Sequence, residues 1–129
     1  MDEPRWIDPE TLELLHAQQI ERFGGSHGVL DRGVVESSLN RPINRYHYGR
    51  SGVDLAELAA AYLYGFAQSQ GFVDGNKRIA LAATLVFLAI NGRRLHVPGE
   101  ELYRLTMSIA DERIRMSEVE VAAWFRERI

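Results

Sequence analysis

The sequence has no cysteine. That excludes disulfides, thiolate metal sites and cysteine nucleophiles, and it fits a reducing cytosol. Excess positive charge is missing too: 15 Lys and Arg face 18 Asp and Glu, a formal net charge of −3. General nucleic-acid affinity needs a basic face, so no direct nucleic-acid partner is expected. Arg41, Arg45 and Arg50 leave room only for a local basic patch. Long apolar runs are also absent. The longest, Ile79 to Ile90, is interrupted only by Thr84 and falls short of the roughly 20 residues that span a bilayer. The N-terminal stretch MDEPRWIDPE is acidic and lacks an apolar segment, so it does not read as a secretory signal. A cytoplasmic protein without a membrane partner is expected. His16, His27, His47 and His96 show no zinc-type spacing, so no structural metal is expected.

What is present is enough for one globular domain over residues 1–129. Its 46% hydrophobic and 26% charged residues can build a core without staples. Asp8-Pro9 signals a first helix, which Gly24-Gly25 ends. Asp31 can cap a second, with Pro42 expected to stop it and Asn44 to Gly52 expected as loop. Asp54 with Glu57 resembles a capping box, and the third helix runs from there to near Ser69. A fourth begins at about Asn76 and is apolar nearly all round to Ile90, which places it at the centre. Pro98 and Glu100-Glu101 start a fifth, and Ser117 with Glu120 boxes the start of a sixth. Strand signals are scarce, with Arg94 to Val97 the only later candidate for a short hairpin. The fold class is all-α, a compact helical bundle.

The chemistry concentrates in Gly71-Phe72-Val73-Asp74-Gly75-Asn76-Lys77-Arg78, between two apolar helical runs. A helix start exposes free backbone N–H groups and the positive end of the macrodipole. Lys77 and Arg78 are on the wrong end for helix stability, each costing a few tenths to about 1 kcal/mol. Two cations there make sense if an anion docks among them. Gly75 lets backbone approach a phosphate, and Asp74 can bring in the Mg²⁺ that accompanies a nucleotide. The plainer alternative is that Asn76 caps the helix and the cations sit in solvent.

This octet resembles the core of the Fic/Doc motif, H-x-F-x-[D/N]-[G/A]-N-[G/K]-R, and Lys77 is similar to the Doc branch rather than the Fic branch. Gly24-Gly25, Gly28 to Asp31, Glu36 to Pro42, Asp54 to Ala60 and Phe87 to Gly92 resemble Doc segments in the same order. The resemblance implies a compact helical toxin of a toxin–antitoxin pair. It would transfer the γ-phosphoryl of ATP to a threonine of elongation factor Tu, which stops translation. By match to the motif, Asp74 would serve Mg²⁺. Gly75, Asn76, Lys77 and Arg78 would hold the phosphates, and Phe72 would anchor the loop. Lys77 and Arg78 would thereby also serve the transfer itself. The partner implied is a Phd-type antitoxin whose tail folds into a groove. The built-in inhibitory segment of some Fic proteins ends in Glu followed by Gly or Asn, and no such pair occurs here.

One position departs from the motif. Where the family has His, this chain has Gln70. Imidazole, with an unperturbed pKa of about 6.5, can take the proton of a target hydroxyl. An amide can orient that hydroxyl but cannot be the base. General-base catalysis is worth about 10²- to 10⁴-fold in rate, so an impaired enzyme is expected. Phosphoryl transfer leans mainly on positioning and electrostatics, so some activity can survive. An introduced change, decay to a binding-only protein, or another group acting as base would each account for Gln70. Two alternatives stand beside the kinase expectation: Fic-like transfer of AMP, against which Lys77 argues, and a non-enzymatic module that binds nucleotide or antitoxin.

Overall fold

The computed structural model describes residues 2–49 and 52–129, and Arg50 of the basic trio lies outside them. Six helices occur among the described residues: α1 (Pro9–Phe23), α2 (Arg32–Tyr48), α3 (Leu55–Ala67), α4 (Asn76–Ile90), α5 (Gly99–Ala110) and α6 (Glu118–Arg126). The protein is all-α. Among the described residues no helix is long and apolar enough to cross a membrane.

The local signals at helix starts act as hydrogen bonds. The Asp8 carboxylate accepts from Thr11 N–H at 2.7 Å, Asp31 from Val34 at 3.2 Å and Asp54 from Glu57 at 2.9 Å. Ser117 and Glu120 form the full reciprocal box at α6. Each satisfies a donor that the helix cannot pair by itself.

Three expectations are corrected. First, α2 does not stop at Pro42; the proline sits buried inside a helix that continues to Tyr48. An interior proline costs about 3 kcal/mol. Here the buried stripe Val35, Ser38, Leu39 and Pro42 stays seated in the core. One turn apart, Arg41 and Arg45 both reach Glu118 of α6. Helix continuation keeps these contacts together, which offsets the lost bond. The Tyr46-His47-Tyr48 stretch is therefore helical, with Tyr46 edge-on to Trp6 at 5.8 Å.

Second, the centre belongs to α3 rather than α4. Eleven residues of α3 are buried, Ala59 to Leu63 fully so. Its alanines let α2, α4, α5 and α6 approach closely on several sides. α4 meets α1, α3 and α5, and leaves Leu85 and Ile90 well exposed.

Third, Arg94 to Val97 forms no hairpin; it is irregular chain tied to the C-terminus by His96 N–H donating to the Arg128 carbonyl at 2.8 Å. Among the described residues, Val29 and Phe72 make an isolated antiparallel bridge, and no strand forms. That bridge belongs to the candidate site.

Candidate functional site

The chain leaves α3 at Gln68 and enters α4 at Asn76, and the motif is the loop between them. Backbone bonds pin this loop to the segment before α2. Leu30 and Asp31 N–H both donate to the Gly71 carbonyl, at 2.8 and 3.0 Å, and Val73 N–H donates to the Gly28 carbonyl at 3.1 Å. The approach is close enough to require glycine at 71, since a Cβ there would lie 2.6 Å from Val35 Cγ2. Phe72 is buried at 2% exposure and stacks on His16, with centroids 3.9 Å apart and planes 13° apart.

Asn76 is the first residue of α4, not its cap. Its side-chain oxygen accepts from Phe72 N–H and its amide donates to the Phe72 carbonyl, both at 3.0 Å. The amide thus locks the loop rather than capping the helix. The cap position is Gly75, at φ +78°, where a side chain would be strained. No side chain caps the first turn of α4, so its N–H groups stay open. That is the arrangement in which helix starts receive phosphate.

The flanking groups divide their roles. One Asp74 carboxylate oxygen, Oδ2, accepts from Ser26 N–H at 2.7 Å, while the residue as a whole is exposed. Lys77 is exposed and has no ion-pair partner among the described residues. Arg78 turns back onto α1. Its Nη1 donates to the Gly24 carbonyl at 2.9 Å and to the Gln19 carbonyl at 3.2 Å, and its guanidinium lies 6.0 Å from the Phe23 ring centre. Sequence reasoning missed this clamp. A cation misplaced at the start of α4 is well placed at the C-terminal end of α1. The Nη2 edge of the same group stays beside Gly75 and Gly25.

A cavity of about 590 Å³ opens over this loop. The loop and the start of α4 line it with Ser69, Gln70, Val73, Asp74, Gly75, Asn76, Lys77 and Arg78, and α5 lines it with Tyr103, Met107 and Ala110. The structure thus gathers Gln70 with the residues of the motif turn and adds a wall from α5. Phe72 lies beneath this floor, buried rather than lining it. The α5 wall went unread because Leu102, Leu105 and Ile109 mark the helix as amphipathic by themselves. The signal for it is the second apolar stripe at spacings of four and three, Tyr103, Met107 and Ala110.

Arg41 and Arg45 are not part of this hollow; both pair with Glu118. No cluster of three His, Asp or Glu that could hold a metal by itself occurs among the described residues. Asp74 keeps a carboxylate oxygen beyond its Ser26 bond, beside an open helix start. That fits Mg²⁺, which usually takes one or two carboxylates plus substrate phosphates and keeps its waters.

The model of the Fic/DOC family matches residues 6–88. The chain belongs to the Fic/DOC family. Within it, the chain is 39% identical over 115 residues to "Protein kinase doc" of Escherichia phage P1, covering 89% of this chain and 90% of that protein. It is 42% identical over 77 residues to "Toxin Doc" of Mycolicibacterium smegmatis (strain ATCC 700084 / mc(2)155), covering 57% and 56%. The Fic/DOC match includes the motif loop and both helices that flank it, whereas Tyr103, Met107 and Ala110 lie beyond the matched span.

Proposed function

We propose that this Fic/DOC protein is a Doc-type toxin that transfers the γ-phosphoryl of ATP to a hydroxyl of a translation factor of the elongation factor Tu class. The observation that carries the reading is the uncapped start of α4 opening into the cavity, with Lys77 unpaired among the described residues and Asp74 beside it. Gly75 and Asn76 offer backbone N–H groups to phosphate oxygens, and Lys77 adds a mobile charge. Arg78 holds the α1 end in place and presents its remaining N–H edge. Asp74 would hold Mg²⁺, which when bound neutralises charge on the phosphates. Gln70, exposed on the cavity rim, can orient the incoming hydroxyl but takes no proton. The chain as it stands is therefore a slow enzyme. Its partners are the target factor and a Phd-type antitoxin, and its setting is the cytoplasm.

The test is Gln70→His. Restoring an imidazole at the rim raises ATP-dependent labelling of elongation factor Tu by about 10²- to 10⁴-fold and restores growth arrest. Mass spectrometry of the target shows one added phosphate. An added AMP would instead move the chain to Fic chemistry. No gain in labelling or toxicity would overturn the enzyme assignment. Gln70 itself favours the second reading, a module that binds nucleotide or antitoxin without turnover; binding of Mg·ATP by both forms with no labelling by either would establish it.

A further inference from the structure

α1 carries a buried stripe of Leu12, His16 and Ile20 at successive spacings of four. Two of these are ordinary core residues. His16 is the exception: an imidazole at 3% exposure where an apolar side chain would fill the same space. Burying a polar ring costs free energy unless it is hydrogen-bonded. Its bond is specific. Nε2 lies 2.7 Å from the backbone carbonyl of Asp74. A carbonyl oxygen can only accept, so Nε2 carries the hydrogen. The ring face meanwhile lies flat on Phe72. One imidazole therefore touches the motif loop twice, once by its face and once by its N–H.

The peptide it holds joins Asp74 to Gly75. In a trans peptide the carbonyl and the following N–H point in opposite directions, and no cis peptide occurs among the described residues. With the Asp74 carbonyl drawn inward to His16, the Gly75 N–H is turned outward, toward the cavity that Gly75 lines. Ile20, one turn further along α1, closes the underside: a Cβ on Gly75 would lie 3.2 Å from its Cδ1 and 3.6 Å from His16 Nε2.

We infer that His16 is a positioning residue for the anion cradle, fixing the Asp74–Gly75 peptide so that the Gly75 N–H faces the bound phosphate. It touches neither phosphate nor target; it acts through the backbone. The inference rests on the phosphate-binding reading of the cavity and adds to it the device that sets one of its donors in advance.

Two substitutions separate this role from simple packing. His16→Phe keeps a ring for the stack and fills the core, but has no N–H to give. His16→Gln loses the ring, but keeps a side-chain N–H. If the donor matters, calorimetry with magnesium tripolyphosphate and with Mg·ATP finds His16→Phe weakened about tenfold, the loss of one good hydrogen bond's worth of preorganisation. His16→Gln stays within about threefold of the parent, even where it unfolds at lower temperature. A packing role gives the reverse order, with the Phe variant closer to the parent, and that order overturns the inference. In ¹H–¹⁵N spectra of the parent, His16 Nε2 is protonated and the Gly75 amide moves on adding tripolyphosphate. An imidazole protonated at Nδ1 alone, or a Gly75 amide unmoved by bound tripolyphosphate, also overturns it. If the parent binds neither tripolyphosphate nor ATP, the phosphate-binding reading falls. The His16 role is then judged by the Nε2 proton and by rapid solvent exchange of an outward Gly75 N–H; slow exchange there overturns it.

Discussion

Arg78 commits only part of its guanidinium to the fold. Nη1 ties the carbonyl end of α1 to the start of α4, and the Nη2 edge remains near Gly75. Hydrogen bonds from a charged donor are worth about 1.5–3 kcal/mol each at most, with partial exposure reducing that. Arg78→Ala should therefore lower the unfolding free energy by about 1–3 kcal/mol and also weaken Mg·ATP binding. Arg104 is the control. It is 77% exposed, 3.8 Å from Glu100, and outside the cavity. Arg104→Ala should leave both quantities nearly unchanged, since exposed pairs contribute about 0–1 kcal/mol. Thermal unfolding and calorimetry on the same two variants check this. Equal losses at 78 and 104 would remove Arg78 from both roles. The octet made Arg78 legible as a phosphate cation, but its clamp was not, because Gln19 and Gly24 lie more than fifty residues away in sequence. Asn76 is similar: its amide side chain reads equally well as a cap or a phosphate ligand, and only the fold aims it at Phe72.

Among the elements, α2 holds the strongest conflict between local preference and tertiary context. The helix runs on through Pro42, and Arg41 and Arg45, one on each side of the proline, reach the same carboxylate of Glu118. Arg41 donates through Nε and Nη2 to one oxygen, and Arg45 Nη2 lies 2.6 Å from the other. The Glu118 side chain is only 12% exposed. Both arginines are more than a third exposed and keep water when their partner loses its charge, so Glu118→Gln should cost about 1–2 kcal/mol. The loss should also appear locally, as reduced helical carbon shifts in residues 43–48 before α3 is affected. Uniform loss across all helices, or none, would show that the ion cluster does not hold the C-terminal part of α2. Elsewhere an asparagine amide seats a chain segment as Asn76 does the motif loop. Asn91, just past α4, accepts from Arg5 N–H at 2.8 Å and donates to the Arg5 carbonyl at 3.0 Å. This seats the N-terminal segment, where Trp6 stacks on Phe87 and Ile7 is buried.

For the molecule as a whole, α3 is the post around which α2, α4, α5 and α6 stand, and its titrating contacts contribute to the pH dependence of stability. Asp54 caps α3 and accepts from Arg126 of α6, with Nε at 2.6 Å and Nη2 at 3.2 Å. The Arg126 bond holds the Asp54 carboxyl below its usual range. A depressed carboxyl contributes stability that is present above its unfolded value near 3.8 and is lost as pH falls through the lower folded value. Both side chains are nearly half exposed, so the contribution is about 0.2–1 kcal/mol. At the alkaline limit, burial pushes the Tyr62 hydroxyl up from 10.0 to about 12. Its oxygen accepts from Ile7 N–H at 3.2 Å. A raised group contributes stability that is complete below the unfolded value and lost as pH rises through the folded one. Unfolding free energy should therefore decline between about pH 10 and 12. In Tyr62→Phe that decline should be shallower, with stability at neutral pH lowered by about 1–3 kcal/mol because the buried Ile7 N–H loses its acceptor. Denaturant titrations across pH for the two proteins check this; identical alkaline limbs would remove Tyr62 as the cause.

The sequence by itself determined the class of fold, the starts of α1, α2, α3 and α6, the motif turn and the family. Each of these depends on short-range chemistry: a carboxylate or hydroxyl bonding an N–H three residues on, glycine where φ is positive, apolar spacing along one helix. Tertiary structure alone decided that α2 runs through Pro42, that α3 rather than α4 is the most enclosed helix, that Arg78 grips α1, that α5 supplies a wall of the cavity, and that His16 lies beneath the Asp74–Gly75 peptide. These outcomes depend on which surfaces meet. A helix's own residues state what it prefers, but only its neighbours fix how much each preference counts and which distant carbonyl a side chain finds within reach.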